Sequence, residues 1–170
     1  TAGFATIPQE NLSSGSALTS LVLMFTGGSP VGTAGGIKTV TLTVLLASAI
    51  ASVKNENNVS LFNRTVGAKA VSKSVAVTVT AFAIMLFSTL LLSAVTDADF
   101  LDIIYETVSA TATVGLTRNL TPQLNTVGKL IIILTMYLGR VGPISLAVAL
   151  NLKKDNKNII KNPTEDISVG

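Results

Sequence analysis

Thr113-Val114-Gly115-Leu116-Thr117 has a near copy 112 residues earlier, Thr1-Ala2-Gly3-Phe4-Ala5. The same offset pairs Leu12 with Leu124, Leu18 with Leu130, Met24 with Met136, Phe25 with Tyr137 and Gly27 with Gly139. One unshifted register over more than twenty residues predicts an internal repeat. Each copy is a small-residue loop followed by a long apolar segment. A Thr-x-Gly loop opening onto an apolar helix suits a cation filter. Glycine lets the backbone turn so that successive carbonyl oxygens face one axis and replace an ion's water shell. One such loop alone reads as a turn glycine at a helix start; two in register favour the filter.

Composition points to a membrane. The 170 residues are 48% hydrophobic and 12% charged, where a soluble domain carries about 25% charge. Cysteine, histidine and tryptophan are absent from the sequence, which removes thiol and imidazole catalysis and the usual zinc sites. No enzymatic activity is expected. The chain starts inside the first loop copy, so it reads as the carboxyl-terminal part of a longer protein.

The pattern predicts an all-α membrane protein. Residues 5–14 form a polar outer loop and 15–26 an apolar helix about half a membrane thick. Next comes Gly27-Gly28-Ser29-Pro30-Val31-Gly32-Thr33-Ala34-Gly35-Gly36, with five glycines and a proline in ten residues, which excludes a stable helix. Residues 37–53 resume an apolar helix. Broken backbone at membrane depth is tolerated only where protein buries it or it lines a wet cavity. A nucleotide-binding loop would end Gly-Lys-Ser/Thr; here Ile37 separates Gly36 from Lys38, and that reading is set aside.

Residues 54–73 read as a polar linker. Residues 74–95 are apolar and uncharged, a full span. Residues 100–112 form a helix too short to span, with Asp99 near its positive end, and it is expected to be re-entrant. Residues 124–150 form the last helix, ~40 Å if continuous. Four segments follow: 1–53, ending one repeat; 54–73, a linker; 74–150, a whole repeat; 151–170, a tail.

Charge orients the chain. Lys54, Arg64, Lys69, Lys73 and four tail lysines lie at one level, cytoplasmic by the positive-inside rule, which places both loops outside. The repeat is then parallel: outer helix, re-entrant pore helix, filter, inner helix, as in a potassium-channel pore. An inverted-repeat carrier is disfavoured.

Three acidic or basic features carry chemistry. Arg140, in Gly139-Arg140-Val141-Gly142-Pro143, sits inside an apolar helix, where an arginine costs roughly 2.5–3.5 kcal/mol. It reads either as a snorkelling or structurally paired residue or as an electropositive barrier beneath the filter. The repeat offset sets it against Gly28, at the same depth and facing it. Glu106 either shapes the cation field or, as we favour, hydrogen-bonds backbone donors behind the filter. Asp97, Asp99 and Asp102 either concentrate cations at the mouth or belong to a solvated loop.

Thr113-Val114-Gly115-Leu116, the stretch ending Thr33-Ala34-Gly35-Gly36-Ile37-Lys38-Thr39, and Gly139-Arg140-Val141-Gly142-Pro143 together resemble the last two repeats of the Ktr/Trk/HKT potassium transporters. Val59-Ser60-Leu61-Phe62-Asn63-Arg64 and Asp166-Ile167-Ser168-Val169-Gly170 are more similar to the pore subunits of bacterial Ktr systems than to TrkH. The resemblance implies a plasma-membrane pore of four repeats, with a potassium ion in the filter and no covalently bound cofactor. It assigns Thr1, Ala2, Gly3, Phe4, Thr113, Val114, Gly115 and Leu116 to the filter. It assigns Gly27, Gly28, Ser29, Pro30, Val31, Gly32, Thr33, Ala34, Gly35, Gly36 and Arg140 to gating. It further implies a homodimer in membrane lipid, seated on a KtrA-like cytosolic ring of nucleotide-binding regulatory subunits. Ktr systems are often sodium-stimulated; no nucleic acid is expected. Alternatives are a sodium or ammonium pathway on the same fold, or a non-conducting scaffold that recruits a cytosolic partner.

Overall fold

The computed structural model describes residues 2–29, 35–55, 58–61 and 64–141. Among these the chain is mostly helical: α1 (Ser14–Phe25), α2 (Thr39–Val53), α3 (Ala68–Val95), α4 (Phe100–Thr111) and α5 (Thr126–Val141). α1 starts where Ser13 Oγ accepts the Ser16 N–H, at 3.3 Å, which satisfies one of the orphan donors of a first turn. It buries Ala17, Leu21 and Met24, spaced four and three residues apart on one face. It stops before Gly27-Gly28.

α4 is the shortest of these helices with α1, and the most enclosed. Ile103 and every residue from Tyr105 to Thr111 are buried. α1, α3 and α5 all pack on it. On one side Tyr105 and Val108 meet Leu21 and Met24 of α1 and Met85 of α3. On the other, Ile103 and Ala110 meet Leu92 of α3, Leu120 and Leu124 of the segment before α5, and Ile132 of α5. Hydroxyl pairs tie the helices where apolar burial alone gives no direction: Thr89 with Thr107 at 2.8 Å, and Thr135 to Ser88 at 2.7 Å. Between apolar helices such bonds are worth about 0.6 kcal/mol each.

α3 has the opposite character. It is apolar on all sides yet exposes Val79, Phe82, Phe87 and Leu90. Among the described residues it is the helix long and apolar enough to cross a membrane. It begins at Ala68, six residues before the expected 74. Lys69 and Lys73 end the apolar run but not the helix, because lysine is a good helix former. Downstream, α5 is described to Val141, so the expected continuation to 150 lies outside the described residues, as does the 151–170 tail.

The 54–73 segment contains a strand pair the sequence analysis does not foresee. β1 (Ser60–Leu61) and β2 (Arg64–Thr65) run antiparallel, with Ser60 opposite Thr65 and Leu61 opposite Arg64. The Val66 N–H closes the pair onto Val59 O at 2.7 Å.

The 112-residue offset holds in the backbone. A 3-10 turn at Gln9–Asn11 corresponds to one at Thr121–Gln123, and α1 at Ser14 corresponds to α5 at Thr126. The first turns are also closed alike. Asn125 Oδ1 accepts the Gly128 N–H at 2.7 Å, at the positions matching Ser13 and Ser16.

Candidate functional site

Two glycines bring the repeated loops together. Gly3 has φ +72° and Gly115 φ +90°, the left-handed region that a residue with a Cβ adopts only under strain. A methyl group at Gly3 would overlap the Val114 carbonyl oxygen, so the two loops touch backbone to backbone. At Gly115 the same methyl would meet open space. The two glycines are therefore required for different reasons, one for conformation and room, the other for conformation alone. Gly3, Phe4, Gln9, Gly115, Leu116 and Thr117 line one shared recess of about 580 Å³.

The second loop is seated on α4 through side chains. The helix ends at Ala112, and Thr113 takes φ +53°, turning the chain. Ser109 Oγ accepts the Gly115 N–H at 3.2 Å. Glu106, 6% exposed, accepts from Thr117 Oγ1 at 2.6 Å and from Thr121 Oγ1. This corrects the expectation of backbone donors: Glu106 holds two hydroxyls of the segment that leaves the loop. A buried carboxylate needs such donors, since an unsatisfied one is costly. A cavity of about 180 Å³ lies behind, lined by Glu106, Ser109, Thr117, Thr121 and Met136 among others.

Beneath the second loop lie the described ends of the glycine-rich stretch, residues 27–29 and 35–36. Thr26 and Ile37 form a parallel bridge, and the Thr39 N–H reaches Gly28 O at 3.4 Å. The chain leaves after α1 and returns beside its own departure point, running the same way. On the return limb the Gly35 N–H donates to Thr113 Oγ1 at 2.9 Å. Any side chain at Gly35 would run into Thr113, and Gly36 packs against Ala112. From the other side Gly139 of α5 meets the Thr111 carbonyl, with no room for a Cβ. Thr111, Ala112 and Thr113 are thus gripped between two glycine approaches. Arg140 is exposed on α5. Thr1, Pro30, Val31, Gly32, Thr33 and Ala34 lie outside the described residues.

Asp102 is not one of a solvated row: it pairs with Arg118 at 2.7 Å. Sequence reasoning passes over Arg118, Tyr105 and Gln9. The signal available for Arg118 is its place three residues after Gly115, next to a loop otherwise free of charge.

Comparison with known proteins gives a consistent result. Residues 1–161 match a family described as a cation transport protein, TrkH. The chain is 37% identical over its whole length to the Ktr system potassium uptake protein B of Bacillus subtilis, covering 38% of that protein. The protein of the same name from Vibrio alginolyticus is 36% identical over the whole chain, which covers 37% of it. The potassium/sodium uptake protein NtpJ of Enterococcus hirae is 35% identical, again over the whole chain and 39% of the relative. The chain spans less than two fifths of these curated relatives.

Proposed function

The chain belongs to the TrkH family of cation transport proteins, and from that premise we propose that it is part of the pore-forming subunit of a potassium uptake system. The observation that carries this reading is the contact between the two glycine loops. Both glycines take left-handed φ, both loops share one recess, and each precedes a helix that starts at the matching residue. A backbone so turned can aim carbonyl oxygens at a common axis. Residues 2–4 and 113–116, with Thr1, are the filter lining, and α4 is the re-entrant pore helix behind it.

In this reading the 27–36 stretch is the gate and Arg140 a positive barrier inside the filter. The hydrogen bond from Gly35 to Thr113 supports it, because it gives the stretch a direct hold on the base of the loop. The pore sits in a cell membrane with its filters outside and residues 54–73 and 151–170 in the cytoplasm. It works as a homodimer on a cytosolic nucleotide-binding regulatory ring, as the naming of its relatives as parts of a Ktr system suggests. A pathway that also passes sodium is the second reading, favoured by the printed name of the Enterococcus hirae relative.

The test is flux of rubidium and sodium through the full-length protein in liposomes. Rubidium flux that excludes sodium supports a potassium pore, and equal flux of both supports the second reading. No flux of either cation, from protein shown to be folded, would leave a membrane scaffold.

A further inference from the structure

Gln9, in the segment after the first loop, is held by two residues of the other repeat. The Tyr105 hydroxyl donates to Gln9 Oε1 at 2.9 Å across 96 residues of chain. Arg118 Nη1 donates to the Gln9 carbonyl oxygen at 2.9 Å across 109 residues. Arg118 is itself aimed by Asp102 of α4, which accepts from its Nε at 2.7 Å. Gln9 Nε2 donates in turn to Ile7 O at 3.0 Å, which fixes the amide. A planar guanidinium using two of its edges has little freedom left. Tyr105 is fully buried, so its hydroxyl has no water to turn to.

The 112-residue offset matches Gln9 to Thr121. Thr121 is the residue that Glu106 holds. Tyr105 and Glu106 are neighbours on α4, and they grip equivalent positions in the two repeats. α4 thus registers both loops from one helix. Gln9 lies six residues past Gly3, and Arg118 three past Gly115.

We propose that Tyr105, Arg118 and Asp102 form a clasp on Gln9 that sets the spacing of the two loops at the outer mouth, making Tyr105 and Arg118 positioning residues for cation selectivity. The inference rests on the pore reading for its selectivity consequence and on geometry alone for the clasp. Selectivity in a carbonyl-lined filter depends on how many carbonyls reach the ion and how closely. Two loops free to part at their outer ends would admit the smaller, more strongly hydrated sodium with its water.

The experiment uses the full-length protein in liposomes, with Tyr105→Phe, Gln9→Leu, their double variant and Arg118→Gln. Ser20→Ala is the control, because Ser20 lies beside the same tyrosine hydroxyl but on α1. Each single clasp variant is expected to lower the rubidium-to-sodium permeability ratio by at least about fivefold, the scale of one lost hydrogen bond, and Arg118→Gln by more, because it gives up two charge-assisted bonds. The Tyr105→Phe/Gln9→Leu double variant should be no worse than Gln9→Leu alone, because that single already removes the tyrosine's bond along with the amide's bond to Ile7 O. Unchanged ratios in folded variants, or additive losses in the double, overturn the selectivity role. Spin labels at the exposed Ile7 and Gln123 read the spacing without transport. The distance distribution should broaden in Tyr105→Phe and Arg118→Gln and stay narrow in Ser20→Ala. An unbroadened distribution overturns the clasp. Should the parent protein pass neither cation, the pore reading fails while the label distances still decide the clasp.

Discussion

The backbone N–H of Gly35 and the hydroxyl of Thr113 meet at 2.9 Å, joining the glycine-rich stretch to the second loop across 78 residues of chain. The bond is the direct mechanical link between the proposed gate and the proposed filter. Deleting three or four residues from Gly32 to Gly36, with Gly35 among them, removes it. Potassium flux should rise and dependence on the cytosolic partner should weaken, measured as rubidium uptake with and without that partner. A folded deletion variant that conducts no faster and stays fully partner-dependent would show that the stretch merely permits close packing.

Thr113→Val separates the bond from the loop's length. The methyl replaces the acceptor at nearly equal volume and leaves a part-buried N–H unpaired, a loss of roughly 1–3 kcal/mol. The unfolding midpoint should fall and the gating change should match that of the deletion in sign. A variant with unaltered flux and stability would mean that the Gly35 N–H finds another acceptor.

Gly115→Ser tests conformation rather than space. A Cβ there meets nothing, so the effect must come from φ +90°. Forcing an L residue into that region costs about 1–2 kcal/mol, and the loop should relax by rotating a carbonyl away. Rubidium preference over sodium should drop while the protein stays folded. Unchanged relative flux in a folded variant would remove Gly115 from the filter.

Gly139→Ala probes the other side of the same segment. Its methyl collides with the Thr111 carbonyl, and overpacking of this kind costs typically 1–3 kcal/mol. α5 should be pushed off the end of α4, with a lower unfolding midpoint in detergent. An unchanged midpoint would mean that α5 yields without cost.

Arg140→Ala should raise cation flux or relax gating, because it removes a fixed positive charge from the proposed path. Flux at two membrane potentials checks it. A variant that inserts or assembles poorly would instead assign Arg140 to holding the structure together.

Much of this layout was legible in the chain. The two loop copies and the matched leucines predicted where α1 begins, and Asp99 marked the start of α4, though its side chain makes no capping bond there. Local signals suffice for such features, because caps and glycines act within one turn. The clasp was not legible. Gln9 and Arg118 sit in polar segments, and a polar segment looks solvated until a partner 109 residues away fills the space. The sequence places Glu106 behind the loop, but its choice of Thr117 and Thr121 depends on how the chain bends after Gly115. The β1–β2 pair escaped notice because two-residue strands leave too few positions for an alternating pattern.

The Thr26–Ile37 bridge has a consequence for how freely the stretch between them can vary. The neck is tied, so the vector from α1 to α2 does not depend on how much chain lies beyond it. Lengthening the excursion costs only closure entropy, about 0.6 kcal/mol per doubling. Insertions and deletions in that excursion are therefore expected to leave the helix register untouched. A change of length there is a change of cargo on a closed neck, felt by what the loop touches and not by the helices that carry it.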